Sequence, residues 1–298
     1  MKTKTKSKII SAAVAAALII GTSSAIAGPV ILGGDDLTDH GSRTVGGVNQ
    51  EGWLYIEKAV SNLLTFETRA GTHGIDIAAL GSTSNPTFTG GNAGGAIGSV
   101  GNVLGKSVGF FDGAANINQF FLDLAAGLIN PAIIWLAGTG AANDLDSAEG
   151  LALSGNAAGI NAFVASGGGL MAHGSGSVAY GWLTALLPGV TAVNGCSSTG
   201  ATLTAAGNAA FPGLSNSDID ANAGPCHNHF EGSFGGLTTL AFDGVGQSYI
   251  IGGGSGTVIQ CGLPGQPPCP QVVPEPGTLP LLAFSVLGLA AIMRRRFI

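Results

Sequence analysis

Three short stretches hold the side chains whose types and spacing could do chemistry. Asp35-Asp36-Leu37-Thr38-Asp39-His40 brings three carboxylates and an imidazole into six residues, donors suited to a divalent cation or to the hydroxyls of a sugar. His173 ends the apolar run Leu170-Met171-Ala172. In Cys226-His227-Asn228-His229-Phe230-Glu231, residues two apart share a face wherever the chain is extended. His227 and His229 could therefore ligate a metal together, joined by Asp35 or Asp36 if the first stretch lies alongside. Each stretch also has a plainer account: acids after a first strand cap the following helix, and loop histidines hydrogen-bond the backbone.

Other candidates fall short of a reaction. Ser175 in His173-Gly174-Ser175-Gly176 would need a base and an oxyanion hole, and the Gly-x-Ser-x-Gly elbow is incomplete because His173 stands where its first glycine should be. Ser175 and Gly176 read more simply as the start of a helix. Gly138-Thr139-Gly140 lacks the lysine of a phosphate loop.

These residues matter only if the fold brings them together, and the hydrophobic pattern says how it would. From Gly28 to about Gly189, apolar runs at Pro29–Leu32, Ile75–Leu80, Ser107–Phe111, Ile133–Leu136 and Leu170–Ala172 alternate with helical periods. Helices are expected through Trp53–Leu64, Ile117–Leu128, Ala148–Ala165 and Val178–Leu187. This predicts an α/β fold of flavodoxin-like type: a mostly parallel sheet with helices on both faces. Such sheets hold ligands at the carboxyl edge, where Asp35, Asp36, Asp112-Gly113, Gly138 and His173 would all emerge. Gly81–Gly105, rich in Gly, Ser, Asn and Thr, reads as a long surface loop. After Pro188 the pattern becomes β-richer, with strands at Val190–Val193, Leu237–Phe242 and Ser248–Ile251, the last two joined as a hairpin by Asp243-Gly244-Val245-Gly246.

The chain has 298 residues with 51 glycines, and only 9% are charged. Between Gly28 and Gln271 the basic residues are Arg43, Lys58, Arg69 and Lys106, against sixteen carboxylates. A body so poor in cations cannot neutralise a phosphate backbone, which argues against nucleic acid and for cations as ionic partners. Residues 1–27 have the three parts of a secretory signal: Lys2 to Lys8, the apolar run Ile9–Ile20, and Ala25-Ile26-Ala27 before Gly28. Signal peptidase is thus an expected partner. Cys196, Cys226, Cys261 and Cys269 suit an oxidising compartment. The turn-rich segment between Cys261 and Cys269 favours pairing those two, leaving Cys196 with Cys226; a metal site of Cys226, His227 and His229 is the rival.

At the other end, 260–272 is a Pro/Gly-rich linker. After it come Pro274-Glu275-Pro276, an uncharged run from Gly277 to Met293, and Arg294-Arg295-Arg296. Residues 273–298 resemble the PEP-CTERM sorting signal, a Pro-Glu-Pro motif followed by a hydrophobic transmembrane helix and a basic tail. The resemblance implies export in a Gram-negative-type bacterium, transient anchoring in the inner membrane, processing by an exosortase, and a final place at the cell surface or in the extracellular matrix.

The block Phe163-Val164-Ala165-Ser166-Gly167-Gly168-Gly169-Leu170-Met171-Ala172-His173-Gly174 makes residues 28–259 resemble a class I glutamine amidotransferase-like domain, nearest the ThuA-like branch. In that family a cysteine occupies the elbow; here there is none, so amidotransferase activity is not expected. His229 and Glu231 have the His-x-Glu spacing of the family triad without its nucleophile. Two functions follow: a non-catalytic envelope protein binding glycan (envelope polysaccharide) or cations through Asp35, Asp36 and His173, or an exported hydrolase or sugar-directed enzyme using His173 with the first-loop acids.

Overall fold

The computed structural model describes residues 28–88, 92–139, 145–174, 178–197, 199–220 and 224–253. The secretory signal, Ser175, Cys261, Cys269, the linker, Pro274, Glu275, Pro276 and the C-terminal helix with Arg294, Arg295 and Arg296 lie outside the described residues.

The chain is α/β. Strand β1 (Val30–Gly33) is followed by a small hairpin, β2 (Gly41–Arg43) and β3 (Asn49–Glu51), and by helix α1 (Gly52–Phe66). Then come β4 (Ile77–Leu80), α2 (Ala93–Leu104), β5 (Val108–Phe111), α3 (Ala114–Ala125), β6 (Ile133–Leu136), α4 (Ser147–Gly155), α5 (Ala157–Ala165) and β7 (Gly169–His173). The last part is α6 (Leu183–Leu186), β8 (Val190–Asn194), β9 (Thr202–Leu203), α7 (Ala205–Ala210), α8 (Asn216–Ile219), β10 (Asn228–Gly232), β11 (Thr238–Phe242) and β12 (Ser248–Gly253).

All but β2 and β3 join one sheet in the order β5-β4-β6-β7-β1-β12-β10-β8, with β11 on β12 and β9 on β11. The five strands from β5 to β1 are parallel. Strands β1, β4, β6 and β7 are buried at every position, as continuous apolar runs such as Ile133-Ile134-Trp135-Leu136 require of strands covered on both faces. Helix α1 packs against α2, α7 and α8, while α3 packs on α4, α4 on α5 and α5 on α6. The remainder is antiparallel: β12 runs against β1, and the β11–β12 hairpin turns where Asp243 Oδ1 accepts from the Val245 and Gln247 amides.

The expected loop over 81–105 is corrected, because α2 occupies its second half. Asn92 caps it by accepting from the Gly95 amide at 2.6 Å. The helix is poor in propensity but buried over most of its length. Its glycines let it lie close: a Cβ at Gly94 would come within 1.8 Å of the Thr83 carbonyl oxygen. Packing thus outweighs the roughly 1 kcal/mol per residue by which glycine disfavours helix. The expected helix over 148–165 is two helices meeting at Asn156, and the one expected over 178–187 is a single turn.

Candidate functional site

The carboxyl end of β1 carries Gly33-Gly34-Asp35-Asp36, and a strap from Pro225 to Asn228 lies along it. The Asp36 amide donates to the Pro225 carbonyl, and the His227 and Asn228 amides both donate to the Gly34 carbonyl. Only glycine fits at position 34, since a Cβ would meet the Asn228 carbonyl oxygen at 1.8 Å. Cys226, bridged to Asp35, forms a disulfide with Cys196, their Cα atoms 5.9 Å apart. It is one of the two bonds the sequence favours; the other, Cys261 with Cys269, lies outside the described residues. The bond between Cys196 and Cys226 fixes the strap to the end of β8.

Along an extended segment neighbouring side chains point to opposite sides, and so Asp35 and Asp36 part company. Asp35 turns inward. Its Oδ1 accepts from His173 Nδ1 at 2.6 Å and from the Leu37 amide at 3.1 Å. His173 Nε2 receives the indole N–H of Trp135 at 3.1 Å. An indole nitrogen only donates, so the imidazole proton sits on Nδ1, facing Asp35. Asp35, His173 and Trp135 are fully buried. Tyr55 packs edge-on to the imidazole, and Tyr180 donates to the Gly33 carbonyl at 2.6 Å. Burial pushes the phenols of Tyr55, Tyr180 and Tyr249 well above their usual range.

Asp36 turns outward, beneath two imidazoles. His227 Nε2 lies 2.7 Å from its Oδ2 and His40 Nε2 lies 3.3 Å from its Oδ1. Burial alone would raise this carboxyl; hydrogen bonds from His227 and His40 outweigh it and hold the pKa at about 2. The same bonds to Asp36 raise both histidines against the opposing effect of burial. Asp39 completes the cluster, its carboxyl raised by burial. Donor atoms of Asp36, Asp39 and His40 lie within 4.8 Å of one another.

His229 belongs elsewhere. Its Nδ1 donates to the Gly195 carbonyl at 2.6 Å, and its Nε2 faces Glu231 Oε1 at 3.1 Å and the Gln247 amide at 3.3 Å. The fold thus brings Asp35 to His173, and Asp36 to His227, and gives His229 and Glu231 to each other; among the described residues the side chains of His227 and His229 converge on no common group. At the neighbouring strand ends, Glu149 is buried and accepts from the Gly113 and Asp146 amides, each at 2.7 Å, tying the end of β5 to the start of α4. Burial raises its carboxyl pKa, against the pull of those two amides.

Sequence reasoning missed Trp135 as the partner of His173, because nothing in an apolar strand marks which indole meets which imidazole. It missed the link from Asp36 to His40, although four residues separate them. No family model, curated protein or solved structure matches the chain.

Proposed function

We propose that the chain is an exported, exosortase-processed envelope or matrix protein that does not catalyse, and that its body binds a divalent cation through Asp36, Asp39 and His40, with His227 as a fourth donor. The observation that carries this reading is the separation of Asp35 from Asp36. His173 is held in the interior between Asp35 and Trp135, while Asp36, itself buried, gathers imidazole and carboxylate donors that are more open to solvent, a set suited to zinc-like ions. A carbohydrate of the envelope, bridged through such an ion, is the second ligand class.

The finer fold belongs to the same proposal. The parallel order β5-β4-β6-β7-β1 reproduces the 2-1-3-4-5 order of flavodoxin-like sheets when β4 counts as first and the N-terminal strand fills the last place. That supports a flavodoxin-like body with a permuted strand order, its N-terminal strand moved from second place to the last. The hydrolase alternative requires a free His173 Nε2 to take a proton, and Trp135 already donates to that atom.

Calorimetric titration of the purified exported protein with zinc and with calcium tests the proposal. Stoichiometric binding that falls at least tenfold in Asp36→Asn and in His40→Ala is expected. Unchanged binding in both variants, or none by the parent, overturns it.

A further inference from the structure

A second feature lies on the opposite edge of the sheet, beside the segments that lead into β6 and β7, and does not depend on the cation reading. Between α3 and α5 the surface opens into a cavity of about 230 Å³, walled by Phe121, Leu124, Ala162 and Phe163 and bounded by Arg69 and Ser166. Arg69 is half-buried, its guanidinium 4.8 Å from the Phe163 ring centre. Its Nε donates to Asn130 Oδ1 at 2.6 Å and its Nη1 to Ser166 Oγ.

Both partners are neutral. Of the other body cations, Lys58 and Lys106 have carboxylates at 3.2 and 3.3 Å, from Glu57 and Asp76, and Arg43 donates to the Gly47 carbonyl at 3.1 Å. Among the described residues no carboxylate lies within 4.0 Å of the Arg69 guanidinium. The nearby Glu67 accepts instead from the Arg69 backbone amide and pairs with His73. A chain with sixteen body carboxylates thus leaves a partly desolvated guanidinium to neutral hydrogen-bond partners, with Glu67 acting on it only at longer range, at the margin of an apolar groove.

We propose that this groove binds a short apolar monocarboxylate, its carboxylate on the Nη2 side of the Arg69 fork and its hydrocarbon body along Phe121, Leu124 and Phe163. A planar guanidinium held at Nε and Nη1 still offers donors in the geometry a carboxylate accepts. At roughly 30 Å³ per water-sized group the cavity takes a body of about seven or eight heavy atoms. A phosphate would leave the apolar walls unused, and a sugar would bury hydroxyls against them without partners.

The test is calorimetry of the purified exported protein with octanoate, octanol and acetate. Octanoate should bind at least tenfold more tightly than either. Arg69→Gln should abolish the preference for octanoate over octanol. Ala162→Phe, which projects a ring into the groove from an exposed helical position, should remove binding of both and keeps the test decisive if Arg69→Gln fails to fold. No binding of octanoate by the parent, or octanoate binding as tight in Ala162→Phe as in the parent, overturns the proposal, as does an unchanged preference in a folded Arg69→Gln.

Discussion

At the scale of single residues, the adjacent carboxylates Asp35 and Asp36 make opposite predictions. Asp35 is buried and bonded to His173, so His173→Ala leaves a carboxylate without its main partner in the interior and should cost about 3–5 kcal/mol. Trp135→Phe keeps the ring but removes the donor to Nε2, and about 1–2 kcal/mol should be lost. Chemical denaturation of the two variants measures both, and a neutral His173→Ala would refute the internal role. Asp36 instead makes stability depend on pH. Its pKa is about 2 when folded and 3.8 ordinarily, so its contribution of about 2 kcal/mol is present above pH 4 and disappears as pH falls through 2. His40 and His227 are raised above 6.5; their contribution is full below 6.5 and disappears as pH rises through the folded values. Thermal melts in the absence of metal should therefore show a maximum between about pH 4 and 6.5, flattened in Asp36→Asn. The sequence displayed these acids and histidines but not their pairing, because the direction each side chain takes depends on the strap from Pro225 to Asn228, nearly two hundred residues away.

At the scale of elements, what could be read in advance was whatever hydrophobic period alone decides. The buried parallel strands and the β11–β12 hairpin announce themselves as apolar runs closed by glycine and aspartate. Helix α2 does not, because Ala-Gly-Gly-Ala-Ile-Gly-Ser-Val-Gly has poor propensity and gains its stability from how closely it packs. Gly94→Ala should accordingly destabilise the protein, by about 1–3 kcal/mol, although in an isolated helix the same change would stabilise; equilibrium unfolding decides the sign. The strap is the other element with consequences. The disulfide closes a separation of thirty residues, which by chain entropy contributes about 3.6 kcal/mol. Since His227 directly follows Cys226, the double variant Cys196→Ser/Cys226→Ser should lose cation affinity as well as stability. Calorimetry of the variant, at a temperature where it is folded, separates the two effects.

At the scale of the whole molecule, the two proposed binding surfaces lie at opposite ends of the parallel strands, and the export expected from the signal pattern would bear on folding through Gly28. Gly28 is buried against β7's approach, its amide donating 2.9 Å to the carbonyl of Val164 in the last turn of α5. A cleavage after Ala27, as the signal pattern predicts, turns that amide into an ammonium group at a helix carboxyl end, where positive charge is favoured by about 0.3–1 kcal/mol. The orphan carbonyls of the last turn gain a charged donor in place of a neutral one. The mature protein should therefore melt a few degrees higher than a version whose Gly28 amine is acetylated. Raising the pH above the amine's pKa should erase the difference. Intact mass of the exported protein establishes whether Gly28 is the first residue, and paired melts of free and acetylated forms test the contact itself. Equal melting temperatures at neutral pH would mean that Gly28 holds its place through the backbone alone.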